Sequence, residues 1–450
     1  MAERANFKST LGVILATAGS AVGLGNVWRF PYMTGKDGGA SFILIYVICV
    51  MLLGIPCMIS EFIIGRHAAS NTARAYRKVG GRWWTAVGVV AVATGFLITC
   101  YYVIVSGWCF NYMYSTLTGD LTGDKDSIVA YFKEFTSSPW RPVLWAMLFM
   151  VVTHFVITRG VRSGIEKASK AFMPTLFILL LIIVGASCML PDAGKGISFL
   201  LQPDFSKITG GVVLDALGQS FYSLSIGMGC ICTYASYFSR ETNLTRSAMQ
   251  ISIIDCMVAI LAGLMIFPAA FAVGVSPDSG PSLIFITLPN VFNQAFASMP
   301  LIGMAISLAF YALMSLAALT SLISLHEVST AFFQEELHLS RHKGATIVSV
   351  VCGFIGVFCS LSLCDIDWLT WAGRSLFDWF DFVTGQIFLP LVGFFTSILV
   401  GWVLPRKLVY SEFTNNGTIQ TSLFRIFLFC VRFVCPTGIL LVFINQMIGG

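Results

Sequence analysis

The chain has 450 residues, of which 56% are hydrophobic and only 11% are charged, and its formal net charge is +5. Soluble domains carry about 25% charged residues, so this composition excludes an ordinary soluble protein and predicts an all-α polytopic membrane protein. The small net charge does not indicate a class of partner, and no nucleic-acid partner is expected.

The apolar residues group into eleven segments, each long enough for the ~20 residues that a membrane-crossing helix requires. We number them span 1 to span 11, and they occupy 11–35, 40–66, 83–115, 141–158, 165–190, 212–238, 246–275, 296–333, 344–361, 376–404 and 422–447. Residues 1–450 therefore form a single domain embedded in a lipid bilayer, with no separate soluble part.

Basic residues mark alternate loops of this arrangement. The loops that follow the even-numbered spans, together with the span ends beside them, carry Arg66, Arg74, Arg77, Lys78, Arg82, Arg159, Arg162, Lys167, Lys170, Arg240, Arg246, Arg341, Lys343, Arg406 and Lys407. We call the side of the bundle that these loops share the basic face. The opposite side is the acidic face, whose loops carry Asp120, Asp124, Asp126, Asp192, Asp278, Asp365 and Asp367. The positive-inside rule predicts a cytoplasmic N-terminus and, with eleven spans, a C-terminus outside.

Span 1 contains an interruption in residues 18–32, AGSAVGLGNVWRFPY. Gly19, Gly23 and Gly25 favour unwinding, since each glycine costs about 1 kcal/mol relative to alanine in a helix interior. An unwound turn within a membrane is tolerated only where protein or a water-filled cavity satisfies its backbone. Because Asn26 and Arg29 follow at once, the segment indicates an ion or substrate site at membrane depth.

Span 6 has a second interruption, YSLSIGMG at residues 222–229. Either interruption alone is also compatible with close helix packing through small residues. If spans 1–5 and 6–10 are two inverted repeats, however, spans 1 and 6 occupy matching places. Gly-interrupted spans in corresponding halves are the sequence feature that best indicates the midplane binding site of a transporter.

Several motifs of this chain resemble those of the neurotransmitter:sodium symporter family. The motifs are GSAVGLGNVWRFP at 19–31, Gly54-Ile55-Pro56 with Glu61 and Gly65-Arg66, Tyr101-Tyr102, Thr233-Tyr234-Ala235-Ser236-Tyr237, and Ala318-Leu319-Thr320-Ser321. The resemblance covers essentially the whole chain and is with short bacterial members. It implies a LeuT-like inverted repeat, with residues 11–190 as the first repeat, 212–404 as the second, and an extra C-terminal helix at 422–447.

The resemblance also implies two sodium sites. The first uses the carbonyls of Ala21 and Ser223, the side chains of Asn26, Ser223 and Asp255, and the carboxylate of the substrate. The second uses the carbonyls of Gly19, Val22 and Ala317 with the hydroxyls of Thr320 and Ser321. A hard cation prefers several oxygen ligands, and an unwound turn frees backbone carbonyls.

The substrate class follows from Gly23, which stands where relatives that carry monoamines have an aspartate. The substrate is therefore expected to supply its own carboxylate, as an α-amino acid does. The residues expected to bind it are Ser20, Ala21, Gly23, Leu24, Gly25, Ile98, Tyr102, Tyr222, Ser223, Ser225, Met228, Ser321 and Leu325. The part of this set expected to contact the side chain of the substrate is mostly apolar and offers no counter-charge, which predicts a neutral, aliphatic or aromatic side chain; it consists of Ile98, Tyr222, Ser225, Met228, Ser321 and Leu325. Met228 alone is as compatible with ordinary packing as with specificity.

Asp255 stands where many relatives have asparagine, and Tyr46, Gln219 and Ser223 match parts of the chloride site of animal members. A carboxylate here would supply the negative charge that chloride supplies in those proteins. We therefore expect chloride-independent transport, with Asp255 able to take up a proton once sodium leaves. A buried aspartate bonded to a neighbouring hydroxyl is the alternative interpretation.

The resemblance also implies two gates. Arg29 and Asp381 match the outer pair, with Tyr222 as an aromatic lid and Asp378 as a competing partner, while Arg4 and Glu335 match the inner pair. Gly164 and Pro174 bracket nine residues of span 5, a spacing that in relatives permits unwinding toward the inner sodium site.

These features predict a sodium-coupled symporter, a multi-pass protein of the bacterial inner membrane that is a monomer or a weak homodimer. A proton-coupled amino-acid carrier on the same fold is the alternative. An enzyme is not expected, since no metal-ligand spacing, nucleophile elbow or phosphate loop occurs in the sequence.

Overall fold

The computed structural model describes residues 6–274, 283–364, 366–419 and 422–448, and this part of the chain is largely helical. Nine described helices are long and apolar enough to cross a membrane: Ala40–Ala68, Arg82–Thr118, Arg141–Thr158, Val161–Cys188, Leu244–Ala272, Pro300–Glu336, Arg341–Leu361, Leu376–Val403 and Leu423–Met447. They correspond to spans 2–5 and 7–11.

The two remaining spans are broken, as the glycines predict. Span 1 consists of Thr10–Ala21 and Gly25–Lys36, two helices bent by 52° at the break. Span 6 consists of Gly210–Ser223 and Cys230–Ala235, separated by residues 224–229. The expected all-α architecture with broken spans 1 and 6 and an eleventh helix is therefore confirmed.

Span 5 begins earlier than the predicted residue 165. Gly160 has a φ of +90°, and Val161–Glu166 then forms a wide π-helical turn that leads into the regular helix Lys167–Cys188. The apolar pattern does not reveal this turn, because it contains the polar sequence Arg162-Ser163 and Glu166.

Shorter elements lie between the spans and were not predicted. They are the helices Thr72–Gly80, Lys125–Ser137, Ala193–Leu201, Thr287–Ala295 and Arg406–Phe413, and the two-stranded hairpin Thr370–Trp371 with Arg374–Ser375. None of these helices is long enough to cross a bilayer, so a search for apolar runs of ~20 residues does not find them.

The bundle presents apolar side chains outward as well as inward. Ile178, Leu181 and Ile182 of span 5 are all more than half exposed. Only 33% of the most apolar window of span 4 and 28% of that of span 5 is buried within the protein. Exposed apolar surface of this extent is unfavourable in water, and it fits contact with lipid.

Helix Arg406–Phe413 is fixed to the basic face through Glu412. One carboxylate oxygen of Glu412 accepts a hydrogen bond from Arg66 Nε at 2.8 Å, and the other contacts Arg240 at 2.8 Å and His67 Nδ1 at 3.0 Å. Arg66 also donates to the carbonyl of Thr242 at 2.6 Å. The cluster joins span 2, the loop after span 6 and the helix that links spans 10 and 11.

This cluster predicts an acid-sensitive contribution to stability. Burial raises the pKa of Glu412, but the hydrogen bond from His67 and the charge of Arg66 outweigh burial, and the pKa lies below its ordinary value of 4.5. The stabilisation is therefore present at neutral pH and is lost as the pH falls below 4.5 through the lowered pKa. Glu412→Gln should cost about 3 kcal/mol at pH 7, seen as a lower midpoint of thermal unfolding.

The matched control is Glu134→Gln, because Glu134 and Arg141 form an exposed ion pair whose side chains are 75% and 41% accessible. That variant should unfold like the wild type at pH 7, since exposed pairs contribute at most about 1 kcal/mol. Equal midpoints of thermal unfolding for Glu412→Gln and Glu134→Gln would contradict the stabilising role of the Glu412 cluster.

Candidate functional site

The break in span 1 is held by side chains that satisfy its freed backbone groups. Val22 adopts an extended conformation directly after the first helix, with φ −71° and ψ 101°. The N–H of Gly23 donates to Asn26 Oδ1 at 3.1 Å, and the N–H of Leu24 donates to Tyr102 Oη at 3.3 Å. The unwound turn is thus stabilised by its own asparagine and by a tyrosine of span 3.

The break in span 6 contains three residues with positive φ: Ser225 at +54°, Gly227 at +85° and Gly229 at +76°. Span 2 satisfies one N–H of the break and one of the helix that follows, because the buried carboxylate of Glu61 accepts from Gly227 N at 2.7 Å and from Cys232 N at 3.2 Å. Both of these bonds go to span 6. Ser225 Oγ links the two breaks by donating to the carbonyl of Ser20 at 2.9 Å.

A buried polar cluster lies beside the two breaks and contains Asn26, Tyr46, Ser223 and Asp255, all almost inaccessible to solvent. One carboxylate oxygen of Asp255 accepts from Asn26 Nδ2 at 2.7 Å. The other accepts from Ser223 Oγ at 2.8 Å and Tyr46 Oη at 3.0 Å. The structure therefore brings together the three side chains expected at the first sodium site.

The family resemblance grouped Gln219 with Tyr46 and Ser223, and the structure places its side chain at the break in span 1. Its Nε2 donates to the carbonyl of Gly25 at 3.4 Å, whereas its buried Oε1 has no hydrogen-bond partner. The hydroxyl groups of Tyr46 and Ser223 both donate to the carboxyl group of Asp255, so a side chain of the protein already takes up these donors.

The second expected sodium set lies where span 1 meets span 8. Ser321 Oγ is 3.4 Å from the carbonyl oxygen of Val22, and Thr320 Oγ1 contacts the carbonyl oxygen of Ala317 at 3.0 Å. A Cβ on Gly19 would lie 3.3 Å from Thr320 Cβ, so the two helices approach closely here. The donor set consists of carbonyl and hydroxyl oxygens, which suits a hard cation.

A central cavity lies between the two breaks and spans 3 and 8. It is lined by Ser20, Ala21, Gly23, Leu24, Gly25, Ile98, Tyr102, Tyr222, Ser223, Ser225, Met228, Cys230, Ser321 and Leu325. All thirteen residues expected to bind substrate are in this set. Cys230 was missed, although its position directly after the glycines of span 6 is a signal that could have found it.

The chemistry of this cavity is that of a site for a small, net-neutral molecule with an apolar end. None of the described residues that line it is charged. Ile98, Met228 and Leu325 supply apolar walls, while hydroxyl groups such as Tyr102 Oη lie at the break in span 1. A side chain with a full charge would lose its hydration here without gaining a partner.

A larger cavity adjoins the central one toward the acidic face. Tyr222 belongs to both walls, and the guanidinium of Arg29 lies 4.5 Å above its ring. Arg29 and Asp381 line this outer cavity, but among the described residues they form no ion pair within 4.0 Å. Asp381 instead accepts a hydrogen bond from Tyr101 Oη at 3.1 Å.

Asp378, the competing partner for Arg29, is engaged within its own helix. Its side chain accepts from Ser375 Oγ at 2.7 Å and forms a capping box with that residue at the start of Leu376–Phe382. This structural role leaves Asp381 as the carboxylate that is better placed to pair with Arg29.

At the basic face, Arg4 lies outside the described residues, so its expected pairing with Glu335 has no structural account. The Glu335 carboxylate accepts from the backbone N–H of Asn71 at 2.9 Å and from its side chain at 3.1 Å. Phe7, which follows Arg4 closely in sequence, packs edge-on against Tyr234 and Tyr237.

Sequence reasoning missed a buried ion pair at this end. Arg341 contacts the two carboxylate oxygens of Glu327 at 2.5 and 3.0 Å, and Tyr237 Oη donates to the same carboxylate at 2.7 Å. Glu327 is fully buried in span 8. A glutamate within an apolar span is itself a signal, because such residues are costly unless they are paired.

Two helices broken at membrane depth, with a shared cavity and oxygen-rich sites beside them, define a secondary transporter. Comparison with known proteins makes this specific: residues 4–131 and 127–449 match the sequence model of the sodium:neurotransmitter symporter family. The chain belongs to that family.

Its relatives include sodium-dependent transporters from several organisms. The chain is 34% identical to the uncharacterized sodium-dependent transporter YhdH of Bacillus subtilis, over 97% of this chain and 96% of that protein. It is 26% identical to human sodium- and chloride-dependent GABA transporter 2, over 91% of this chain and 75% of that protein. The crystal structure of MhsT in complex with L-phenylalanine superposes with a TM-score of 0.89 at 37% identity, covering 99% of this chain and all of MhsT.

The close packing at Gly23 predicts that Gly23→Ala weakens stabilisation of the protein by sodium, so that about tenfold more sodium is needed for the same rise in the unfolding midpoint. A Cβ at this position would lie 2.4 Å from Ser321 Oγ and 3.3 Å from Tyr102 Oη, and overpacking of this kind costs about 1–3 kcal/mol. Thermal unfolding of the purified protein at increasing sodium concentration measures the effect. Gly218→Ala is the control, because its Cβ would meet Val442 at 3.6 Å, an ordinary contact; equal losses in both variants would refute the prediction.

Proposed function

We propose that this protein imports neutral, hydrophobic L-amino acids, aliphatic or aromatic, together with two sodium ions by alternating access and independently of chloride. The observation that carries the proposal is the central cavity, which both helix breaks line and whose described walls bear no charge. The only carboxylate of the adjoining cluster, Asp255, lies outside these walls. MhsT, whose structure contains L-phenylalanine, supports the same substrate class.

The roles of the site residues follow from this geometry. The amino-acid carboxylate binds at the break in span 1, near the N–H of Leu24 and Tyr102 Oη, where the end of a half-helix favours an anion. One sodium ion binds between that carboxylate and the oxygens of Ala21, Asn26, Ser223 and Asp255. The other binds among Gly19, Val22, Ala317, Thr320 and Ser321, and so holds span 1 against span 8.

Sodium entry supplies the energy for accumulation. Two sodium ions that enter with a zwitterion carry two positive charges, which the membrane potential favours by about 4.6 kcal/mol per 100 mV. This corresponds to roughly three decades of substrate gradient. A proton that returns outward on Asp255 would reduce the charge moved in each cycle.

The orientation follows from the positive-inside rule. The basic face lies in the cytoplasm, the acidic face is outside, and the protein resides in the bacterial inner membrane as a monomer or weak homodimer. Arg29 and Asp381 then gate the outer cavity, and Arg4 with Glu335 gates the route to the cytoplasm.

The experiment that tests this function measures binding and transport with the same purified protein. Thermal unfolding with each of the twenty amino acids should show stabilisation by aliphatic and aromatic ones in sodium buffer and no stabilisation in potassium buffer. Lysine and glutamate should have no effect in either. In proteoliposomes, uptake driven by a pH gradient in sodium-free buffer would contradict the proposal and favour the proton-coupled alternative.

Asp255 predicts the response to chloride. Wild-type uptake should be unchanged when gluconate replaces chloride, because the Asp255 carboxylate already accepts from Ser223, Tyr46 and Asn26. In Asp255→Asn this negative charge is lost, and uptake should fall about tenfold and depend on chloride. Asp120→Asn, in an exposed loop, is the control. Wild-type uptake that collapses in gluconate would overturn the prediction.

A further inference from the structure

The first turn of span 1 is held by a carboxylate from span 5. Glu166 Oε2 accepts from the backbone N–H of Lys8 at 2.8 Å, and Oε1 accepts from Ser9 Oγ at 3.0 Å. Ser9 in turn caps the helix, since its hydroxyl accepts from Gly12 N at 3.0 Å. The Glu166 side chain is only 3% exposed, so this contact is buried although it lies near the end of the bundle.

Gly12 is what permits this approach. A Cβ at position 12 would lie 2.3 Å from Glu166 Oε1 and 2.5 Å from its Cδ. Any residue other than glycine would therefore push the carboxylate away from the backbone that it caps. The contact thus depends on a matched pair of residues, one on each helix.

Glu166 is the last residue of the wide turn Val161–Glu166, where span 5 is least regular. Pro174, further along the same helix, removes one more backbone donor. Lys170 pairs with Glu166 Oε1 at 2.7 Å from one turn away on span 5. If span 1 moves off, the carboxylate keeps this partner, which lowers the cost of breaking its bonds to span 1.

Spans 1 and 5 run side by side from this contact toward the proposed second sodium site. Gly12 faces Glu166, and seven residues further along span 1 a Cβ on Gly19 would lie 3.4 Å from Met173 Sδ. Gly19 also faces Thr320. Span 5 therefore covers the part of span 1 that separates the sodium site from the basic face.

We propose that Glu166 is a positioning residue for transport, a latch that holds the first turn of span 1 on span 5 and must release before sodium leaves toward the basic face. The proposal rests on the proposed sodium-coupled function. Because the latched conformation is the one that retains sodium, a variant without the latch spends more time open, and more sodium is needed to close it.

The experiment compares Glu166→Ala, Glu166→Gln and Gly12→Ala in the purified full chain. Loss of a charge-assisted contact predicts that the sodium concentration for half-maximal phenylalanine binding rises about tenfold in Glu166→Ala and Gly12→Ala, and less in Glu166→Gln, whose amide oxygen still accepts. Maximal binding at saturating sodium should stay at the wild-type level. Loss of a merely structural residue would instead lower maximal binding.

A double variant identifies the contact itself. Gly12→Ala should add nothing in the Glu166→Ala background, because the methyl group then has room. Gly185→Ala is the matched control on span 5, since its Cβ would meet nothing within 4 Å. Hydrogen exchange of residues 8–14 in sodium buffer should be fast in Glu166→Ala and slow in the wild type and in Gly185→Ala.

Two results would overturn the latch. The first result concerns Glu166→Gln and Gly12→Ala, the variants expected to disturb folding least. It is that both variants bind phenylalanine with the sodium dependence of the wild type and that residues 8–14 exchange slowly in both. The other is additive effects in the double variant. If the proposed function is wrong, phenylalanine binding to the wild type will not depend on sodium. The exchange of residues 8–14 reports on the latch whether or not the proposed function is correct.

Discussion

The constraint on which this structure depends is that a broken helix inside an apolar layer must satisfy its own backbone. The hydrocarbon offers no hydrogen bonds at that depth, so each freed N–H or carbonyl needs a partner supplied by the protein, by a ligand or by water in a cavity. Tyr102 and Asn26 meet this need for span 1, and Glu61 meets it for span 6. Hydroxyl and amide donors serve some of the freed carbonyls, since Ser20 accepts from Ser225 and Gly25 accepts from Gln219. The proposed cations complete what the protein leaves open.

The apolar surroundings also restrict buried charge. Burying a carboxylate costs several kcal/mol unless it is hydrogen-bonded or paired, and Asp255 is fully buried. Its three donors, Asn26, Ser223 and Tyr46, come from spans 1, 6 and 2. Neutral donors reduce the cost of the charge but do not cancel it, so the site retains an attraction for a monovalent cation. The same three donors fix the relative positions of three helices around the central cavity.

The membrane-crossing helices could be predicted from sequence because each is a long apolar run, and the two breaks because glycines interrupt such runs at matching places. The lining of the central cavity could be predicted because its residues match positions of a known family and many of them lie at those breaks. Glu327 and Arg341 could not be paired in advance, and neither could Glu166 and Gly12, because their contacts join distant parts of the chain and depend on how the helices pack. The short helices at the two faces were missed because their apolar runs are short.

The contacts that close the central cavity differ between the acidic and the basic face, and this difference indicates which side opens more easily. Toward the acidic face, Arg29 covers Tyr222 but forms no ion pair with Asp381 among the described residues, and a larger cavity adjoins the site. Toward the basic face, a buried ion pair between Glu327 and Arg341 and the carboxylate of Glu166 hold the helices together. The Glu327–Arg341 contact joins buried charges and is costly to separate. Among the described residues, opening toward the basic face therefore breaks a buried ion pair that has no counterpart between Arg29 and Asp381, and these contacts favour access from the acidic face.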